Sequence, residues 1–217
     1  MRKLIIFDLF GTLVQTPNPL EVKGLLDEIE EHARSHQGLY QRWLETSEPR
    51  DRGVYSTPQD YWSSIGVQDV EKATLLYSRT NSYWLDKRRS DLHSILENLK
   101  NSGYEISLCS NAGFETHNLL KGTDIYKLFN KVVISAEVKA LKPEKIMYEL
   151  CYSDKVAYDI IYFVGDGGSN ELSGASALNI KPIQITELRH DGTELFRDLG
   201  DQYLKIENLH QLLNLTL

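Results

Sequence analysis

The chain has 217 residues with a formal net charge of −7, and 41% of its residues are hydrophobic and 25% charged. These values are typical of one globular domain, or of one domain that carries a smaller insertion. They argue against a broad nucleic-acid-binding face, and the first apolar run is too short to be a signal peptide or a membrane span.

Five apolar segments with β-branched residues predict buried strands. The first is residues 4–7, "LIIF", and the others are residues 105–112, 131–138, 160–166 and 181–186. Continuous apolar runs of this kind are typical of a parallel sheet that is covered on both faces. Because helical segments separate these strands, we predict right-handed crossovers and a three-layer, Rossmann-like α/β fold.

The segments around these strands carry helical periodicity. Residues 91–103 place apolar residues at i, i+3, i+4 and i+7 and end at a glycine. Residues 141–151 predict a helix with Pro143 in its first turn. The tail, residues 202–217, predicts a last strand and a terminal helix that either packs on the core or offers an interface. The tail leucines expected to be buried are Leu209, Leu212 and Leu213.

Residues 15–88 break the alternation of strands and helices. Helical patterns cover residues 20–33, 39–46 and 69–86, and residues 47–58 predict a polar loop that contains prolines. We therefore expect a helical insertion directly after the first strand.

The insertion defines two parts of the chain. We predict a Rossmann-like core of residues 1–14 and 89–217, and a helical insertion of residues 15–88 that lies over the carboxyl ends of the strands. Open α/β sheets bind ligands at that edge. All three tryptophans fall in the insertion, and we expect them to form its apolar interior: Trp43, Trp62 and Trp84.

Polar residues follow four of the predicted strands. Asp8 follows the first, Ser110 and Asn111 end the second, Lys142 follows the third, and Asp166 ends the fourth. Parallel strands bring these ends together. Two close carboxylates repel each other unless a proton or a cation lies between them. Mg²⁺ prefers oxygen ligands and commonly binds one or two carboxylates plus a phosphate, so the pattern predicts a Mg²⁺ site.

Four short segments resemble the ordered motifs of the haloacid dehalogenase (HAD) superfamily. They are "DLFGTL" from Asp8, "CSNA" from Cys109, "KALKP" from Lys139 and "VGDGGSNE" from Val164. The helical insertion is similar in position to the cap of that family. The resemblance runs from Asp8 to about Glu171, and it implies a hydrolase that binds a small, anionic substrate.

The resemblance implies a nucleophile and the groups around it. Asp8 would attack phosphorus or carbon and form a covalent aspartyl intermediate. Lys142 would neutralise charge around Asp8. The residues implied to hydrogen-bond the nucleophile or the transferring group are Gly11, Thr12, Ser110 and Asn111.

The resemblance also implies the ligands of the Mg²⁺ ion. Asp8 and Asp166 would hold the ion together with the backbone carbonyl of Phe10. Glu171 would bind it directly or through water; family members often have Asp at that position.

Phe10 departs from the first motif of typical phosphatases, which carry a second Asp two residues after the nucleophile. That Asp protonates the leaving group, and losing such a group typically costs about 10²–10⁴ in rate. Three interpretations follow. In the first, the chain is a Mg²⁺-dependent phosphohydrolase, either with reduced catalytic power or adapted to leaving groups that need no proton, such as aryl or acyl phosphates. In the second it is a 2-haloacid dehalogenase, and in the third a catalytically weak phosphate-binding or regulatory module.

The dehalogenase branch also carries an aromatic residue at the position of Phe10. It uses no metal, however, and has Ser in place of Asp166. It keeps a cap arginine for the substrate carboxylate, for which Arg34 and Arg42 are candidates. Because a second carboxylate opposite Asp8 requires a cation, we favour the phosphohydrolase.

Two further arginines, Arg50 and Arg52, lie in the predicted loop and could meet an anionic substrate, although we expect that loop to be solvated. The two cysteines, Cys109 and Cys151, lie in apolar surroundings and predict reduced thiols. We expect a cytoplasmic protein that binds neither nucleic acid nor membrane.

Overall fold

The computed structural model describes residues 2–16, 18–86, 90–113, 115–152, 154–187 and 202–214, and the backbone alone for 79–86. Within these ranges the strands form one parallel sheet. The strands are β1 (Lys3–Phe7), β2 (Tyr104–Ser110), β3 (Lys131–Ile134), β4 (Ile160–Gly165), β5 (Lys181–Ile185) and β6 (Leu204–Ile206).

The strand order is β3-β2-β1-β4-β5-β6. β2 and β3 therefore lie on one side of β1, and β4, β5 and β6 lie on its other side. The strand order reverses direction at β1, so the topological switch point lies at the carboxyl end of this strand. In register, Phe7 lies beside Leu108 of β2 and Val164 of β4. The residues that follow these three positions consequently meet at one edge of the sheet.

The helices fall into two groups along the chain. The helical insertion contains α1 (Pro19–His32), α2 (Leu39–Glu45), α3 (Ser47–Asp51), α4 (Pro58–Ser64) and α5 (Val70–Asp86). The core contains α6 (Leu92–Asn101), α7 (Glu115–Lys121), α8 (Ser135–Val138), α9 (Lys145–Glu149), α10 (Glu171–Ala177) and α11 (Gln211–Asn214).

Alternate residues of β1 face opposite layers of helices. Ile5 and Phe7 pack in one apolar cluster with side chains from α6, α7 and α11. Leu4 and Ile6 pack in a second cluster with side chains from α9 and α10. Full burial of one such side chain contributes about 1.5–3 kcal/mol. The two clusters confirm the predicted three-layer α/β fold.

The helical insertion has an apolar cluster of its own, built from α1, α2, α4 and α5. Trp62 is almost fully buried in it, and Trp43 packs against it half-buried. The side chain of Trp84 lies outside the described residues. The division of the chain at residues 14/15 and 88/89 stays a prediction, and residues 87–89 also lie outside the described ranges.

Two short helices of the insertion were not predicted. Residues 47–51 form α3 inside the segment expected to be a loop, and α4 follows that segment. The start of α4 is locally encoded, because the Thr57 hydroxyl accepts the N–H of Asp60 and Pro58 occupies the first turn.

Three predictions for the core were wrong in detail. The strand expected over 131–138 ends at Ile134, because the following Ser-Ala-Glu run favours the single turn of α8 over a strand. Pro143 precedes α9 instead of lying in its first turn, since a turn closed by Glu144 N–H and Leu141 C=O delays the helix. Leu213 is 37% exposed, whereas Leu209 and Leu212 are buried as predicted.

The described helices include none that combines the length and the apolar character needed to cross a bilayer.

Candidate active site

A cavity of about 220 Å³ lies at the carboxyl ends of β1, β2 and β4. Seven of the residues singled out in the sequence line it: Asp8, Phe10, Ser110, Asn111, Lys142, Asp166 and Glu171. The structure therefore brings the polar ends of the predicted strands to one place. Gly11 and Thr12 follow the lining residue Phe10 in the sequence, but they are not among the residues that line the cavity.

The turn after β1 explains the positions of Gly11 and Thr12. Gly11 has a φ of +79°, and a Cβ atom there would lie 2.4 Å from Oδ2 of Asp166. Its N–H donates to the carbonyl of Val14 at 2.7 Å, so this amide is used inside the turn. The Thr12 hydroxyl donates to Oδ2 of Asp8 at 3.3 Å. Both residues thus shape and orient the end of β1.

Lys142 links two carboxylates inside the cavity. Its Nζ donates to Oδ1 of Asp8 and to Oε2 of Glu171, and the side chains of all three residues are nearly fully buried. The amide of Asn111 fixes the backbone of Lys142 from both sides. Oδ1 accepts the N–H of Lys142 at 2.8 Å, and Nδ2 donates to its carbonyl at 3.3 Å. Asn111 therefore positions the ammonium group.

Glu171 begins α10 and is completely buried. Its Oε1 accepts the N–H of Gly167 at 3.2 Å. A Cβ atom on Gly165 would lie 2.0 Å from that same oxygen, so only glycine leaves room for the carboxylate there. Both oxygens of Glu171 are consequently held, one by a backbone amide and one by Lys142.

Among the described residues that line the cavity, acidic side chains outnumber basic ones. Asp8, Asp166 and Glu171 each offer a carboxylate oxygen, and these three oxygens lie within 4.8 Å of one another. Burial and the charge of Asp8 raise the pKa of Asp166 to about 6, and they also raise the pKa of Glu171. Burial alone would lower the pKa of Lys142, but Asp8 and Glu171 raise it well above its ordinary value.

The donor set fits a hard divalent cation. Three carboxylates opposed by one ammonium leave two negative charges if all four groups are ionised, and Mg²⁺ prefers such oxygen ligands. The N–H of Gly168 donates to Oδ1 of Asp166 at 2.8 Å. The other oxygen, Oδ2, lies toward Gly11, and it is the oxygen that Asp166 can offer to the ion.

The hydroxyl of Ser110 is a buried polar group in the wall of the cavity. Its Oγ is buried and has no hydrogen-bond partner among the described residues. A buried hydroxyl without a partner is costly unless a ligand or water satisfies it. Since Ser110 lines the cavity, its hydroxyl is available to a bound substrate.

The described residues that line this cavity include no arginine. Arg42 donates to three backbone oxygens of the insertion at 2.6–2.7 Å, so it holds the insertion together. Arg34 is exposed and has a left-handed backbone conformation. Neither arginine meets the expected role of a carboxylate-binding group in the cavity.

Arg50 and Arg52 differ in their surroundings. The Arg50 side chain is 11% exposed and its guanidinium lies 4.1 Å from the ring centre of Trp43. The expectation of a solvated loop was therefore wrong for Arg50, because aromatic side chains of the insertion cover it. Arg52 is more exposed and pairs with Glu48 at 3.3 Å and Glu144 at 2.7 Å.

Three lining residues were missed from the sequence: Thr16, Gly168 and Ser169. The two consecutive glycines before Ser169 mark the turn that presents this residue, whose φ is +54°. Thr16 lies three residues after the end of the first motif, and no local pattern singled it out.

Most of the chain matches one protein family. Residues 5–185 match the model of the haloacid dehalogenase-like hydrolases. No curated protein matches the sequence significantly.

Solved structures of both enzyme types share the fold. A HAD phosphatase from Thermococcus onnurineus is 20% identical with a TM-score of 0.62, over 97% of this chain and 95% of that one. An L-2-haloacid dehalogenase from Xanthobacter autotrophicus is 17% identical with a TM-score of 0.57, over 99% and 98%. YfnB from Bacillus subtilis, of the same superfamily and bound to magnesium, is 11% identical with a TM-score of 0.62, over 98% and 97%. From the family match and the fold, the chain belongs to the haloacid dehalogenase-like hydrolases.

Proposed function

We propose that this hydrolase is a Mg²⁺-dependent phosphohydrolase that acts on a small phosphorylated metabolite through an aspartyl-phosphate on Asp8. One observation carries the proposal: half-buried Asp166 lies close to the buried carboxylates of Asp8 and Glu171, and Lys142 is the one lysine among the described residues that line the cavity. Such a cluster suits chemistry in which a cation and a phosphate together complete the charge balance. The magnesium bound to the related YfnB structure supports the same assignment.

The metal-binding residues would be Asp8 and Asp166, with the backbone carbonyl of Phe10. Because Lys142 and Gly167 N–H already hold the two oxygens of Glu171, we assign Glu171 to the ion through water. When bound, Mg²⁺ would neutralise charge that develops on the phosphoryl oxygens.

The chain's own residues perform the two chemical steps. A carboxylate oxygen of Asp8 attacks phosphorus, the bond from phosphorus to the leaving oxygen breaks, and an acyl phosphate forms on Asp8. Lys142 and the Ser110 hydroxyl stabilise the negative charge of the transferring group. Water then attacks the phosphorus, which releases inorganic phosphate and regenerates the carboxylate.

Phe10 defines which substrates are favoured. Phe10 is among the residues that line the cavity near Asp8, and its side chain has no proton to offer to a leaving oxygen. The leaving group must therefore depart as an anion or take its proton from solvent. Acyl and aryl phosphates meet this condition, whereas alkyl phosphates meet it poorly.

A second candidate is dehalogenation of a small 2-haloacid, and the aromatic Phe10 beside Asp8 favours it. A halide leaves without a proton, so Phe10 is no disadvantage there. Against it, Arg34 and Arg42 are not among the described residues that line the cavity. Asp166 would also face Asp8 with no cation between them.

The deciding experiment measures release of p-nitrophenol from p-nitrophenyl phosphate with Mg²⁺ and then with EDTA. Asp8→Asn, checked for folding by circular dichroism, is the blank. Turnover that needs Mg²⁺ and disappears in the blank supports the proposal. Turnover that persists in Asp8→Asn contradicts it. If the protein releases halide from 2-chloropropionate in the presence of EDTA and shows no phosphatase activity, it is a dehalogenase instead.

A further inference from the structure

The helical insertion contacts the core where α5 packs against α7, and also through three consecutive residues at the end of α3. We call these three residues the docking segment (residues 51–53). The carbonyl of Asp51 accepts a hydrogen bond from the Ser135 hydroxyl of α8 at 2.6 Å. Arg52 pairs with Glu144 at 2.7 Å. Gly53 lies against the carbonyl of Ala136. Successive residues of the insertion thus contact α8 and the turn before α9.

Gly53 allows the closest of these approaches. Its φ is +65°, and a Cβ atom on it would lie 2.0 Å from the backbone oxygen of Ala136. Any side chain at this position would force the docking segment and α8 apart. By contrast, the pair between Arg52 and Glu144 is exposed to solvent and contributes little to docking. The docking segment therefore meets α8 mainly through the backbone contacts of Asp51 and Gly53.

The Ser135 hydroxyl lies between the docking segment and the cavity. It is fully buried and accepts the N–H of Ala112 at 2.9 Å. Its single proton can be donated to the carbonyl of Asp51 at 2.6 Å or to that of Ala112 at 3.2 Å. With the insertion docked, the shorter contact is the one to Asp51. If the docking segment moved away, only the carbonyl of Ala112 would remain.

Ala112 directly follows two residues of the candidate active site. Ser110 presents its unpaired hydroxyl to the cavity, and Asn111 holds the backbone of Lys142. The hydrogen bond from Ala112 to Ser135 is therefore made at the end of the loop that carries both groups. A change at Ser135 reaches this loop without any contact to substrate.

We propose that Ser135 is a positioning residue whose hydroxyl couples docking of the helical insertion to the loop of residues 110–112. Docking fixes the hydroxyl between Asp51 and Ala112, and the fixed hydroxyl holds the loop that presents Ser110 and orients Lys142 through Asn111. The coupling depends on the fold and not on which reaction the site performs.

Hydrogen–deuterium exchange of the peptide 104–113 tests this coupling without an activity assay. Gly53→Ala leaves Ser135 intact but separates the docking segment from α8. We expect exchange at residues 110–112 to rise by about tenfold or more. Gly38→Ala is the matched control, because Gly38 also has a positive φ (+82°) and a Cβ there would contact only Arg42 of the insertion.

The double variant separates coupling from independent effects. Ser135→Ala should also raise exchange at residues 110–112, and Gly53→Ala with Ser135→Ala together should raise it no further than the larger single change. Unchanged exchange in Gly53→Ala, an equal rise in Gly38→Ala, or multiplying effects in the double variant would each overturn the proposal. If Ser135→Ala fails to fold, the two glycine variants alone decide the question.

Discussion

Lys142 and Asp8 form a buried ion pair although 134 residues separate them in the chain. The same ammonium also pairs with Glu171 at the start of α10. A buried ion pair is weak evidence for stability, because desolvating the charges offsets much of their attraction. Three carboxylates around one lysine at a strand-end cavity indicate placement for chemistry rather than for folding.

Lys142→Met tests how strongly this ammonium balances the cavity. The variant leaves Asp8 and Glu171 buried beside Asp166 without a positive charge. Removing one partner of a buried pair typically costs about 3–5 kcal/mol, so we expect the free energy of unfolding at pH 7 to fall by that amount. Urea denaturation followed by circular dichroism measures it.

Lys145→Met is the control for this change, since Lys145 forms an exposed i, i+4 pair with Glu149. We expect it to alter the free energy of unfolding by less than about 0.5 kcal/mol. Equal effects of the two substitutions would mean that the three carboxylates need no compensating charge.

Gly165→Ala tests the cradle of Glu171. The added methyl group would lie 2.0 Å from Oε1 of Glu171, so the carboxylate must leave its present position between Gly167 and Lys142. We expect a loss of about 1–3 kcal/mol in the free energy of unfolding from overpacking, together with reduced turnover. Both are measured on one preparation, by urea denaturation and by the phosphatase assay.

The opposite sign is expected for Gly24→Ala in α1, because a Cβ atom there would meet nothing within 4 Å. Replacing a helical glycine by alanine at a compatible site stabilises by about 0.4–1 kcal/mol. A Gly165→Ala variant as stable and active as Gly24→Ala would show that Glu171 can relax at no cost.

The sequence predicts which residues lie at the cavity better than it predicts how they pair. Asp8 and Asp166 follow strongly apolar runs, and the carboxyl ends of parallel strands must meet, so their proximity follows from the pattern. The contact between Lys142 and Glu171 does not. It depends on a turn before α9 and on the two hydrogen bonds between the Asn111 side chain and the backbone of Lys142, which no local periodicity encodes.

The insertion shows the same limit. The spacing of apolar residues predicts its longer helices. Helix α3 has no buried residue, so the sequence there carries no apolar periodicity from which a helix could be predicted. Arg50 looks like a solvated loop residue by sequence, yet Trp43 and Tyr61 cover it. Tertiary packing of this kind overrides the local prediction.

Removal of the proposed metal ligand Asp166 should abolish the stabilisation of the folded chain by Mg²⁺. Mg²⁺ at about tenfold its Kd would stabilise the folded chain by roughly 1.4 kcal/mol, a rise in Tm of about 3–6 °C. We expect Asp166→Asn to abolish this rise, whereas Asp60→Asn, an exposed change in α4, should keep it. Thermal unfolding with MgCl₂ and with EDTA measures the difference. A Mg²⁺-dependent rise retained by Asp166→Asn would place the ion elsewhere.

Phe10→Asp adds the carboxyl group that typical phosphatases of this family carry at this position. A general acid beside Asp8 would protonate an alkoxide leaving group, and such a group typically contributes about 10²–10⁴ in rate. We therefore expect kcat/KM to rise within that range for an alkyl phosphate such as glycerol phosphate, and to change much less for acetyl phosphate. Phe10→Asn is the matched control, because it has a similar shape but no proton to give. An equal gain in both variants would show that loss of the aromatic ring, and not proton transfer, opened the site.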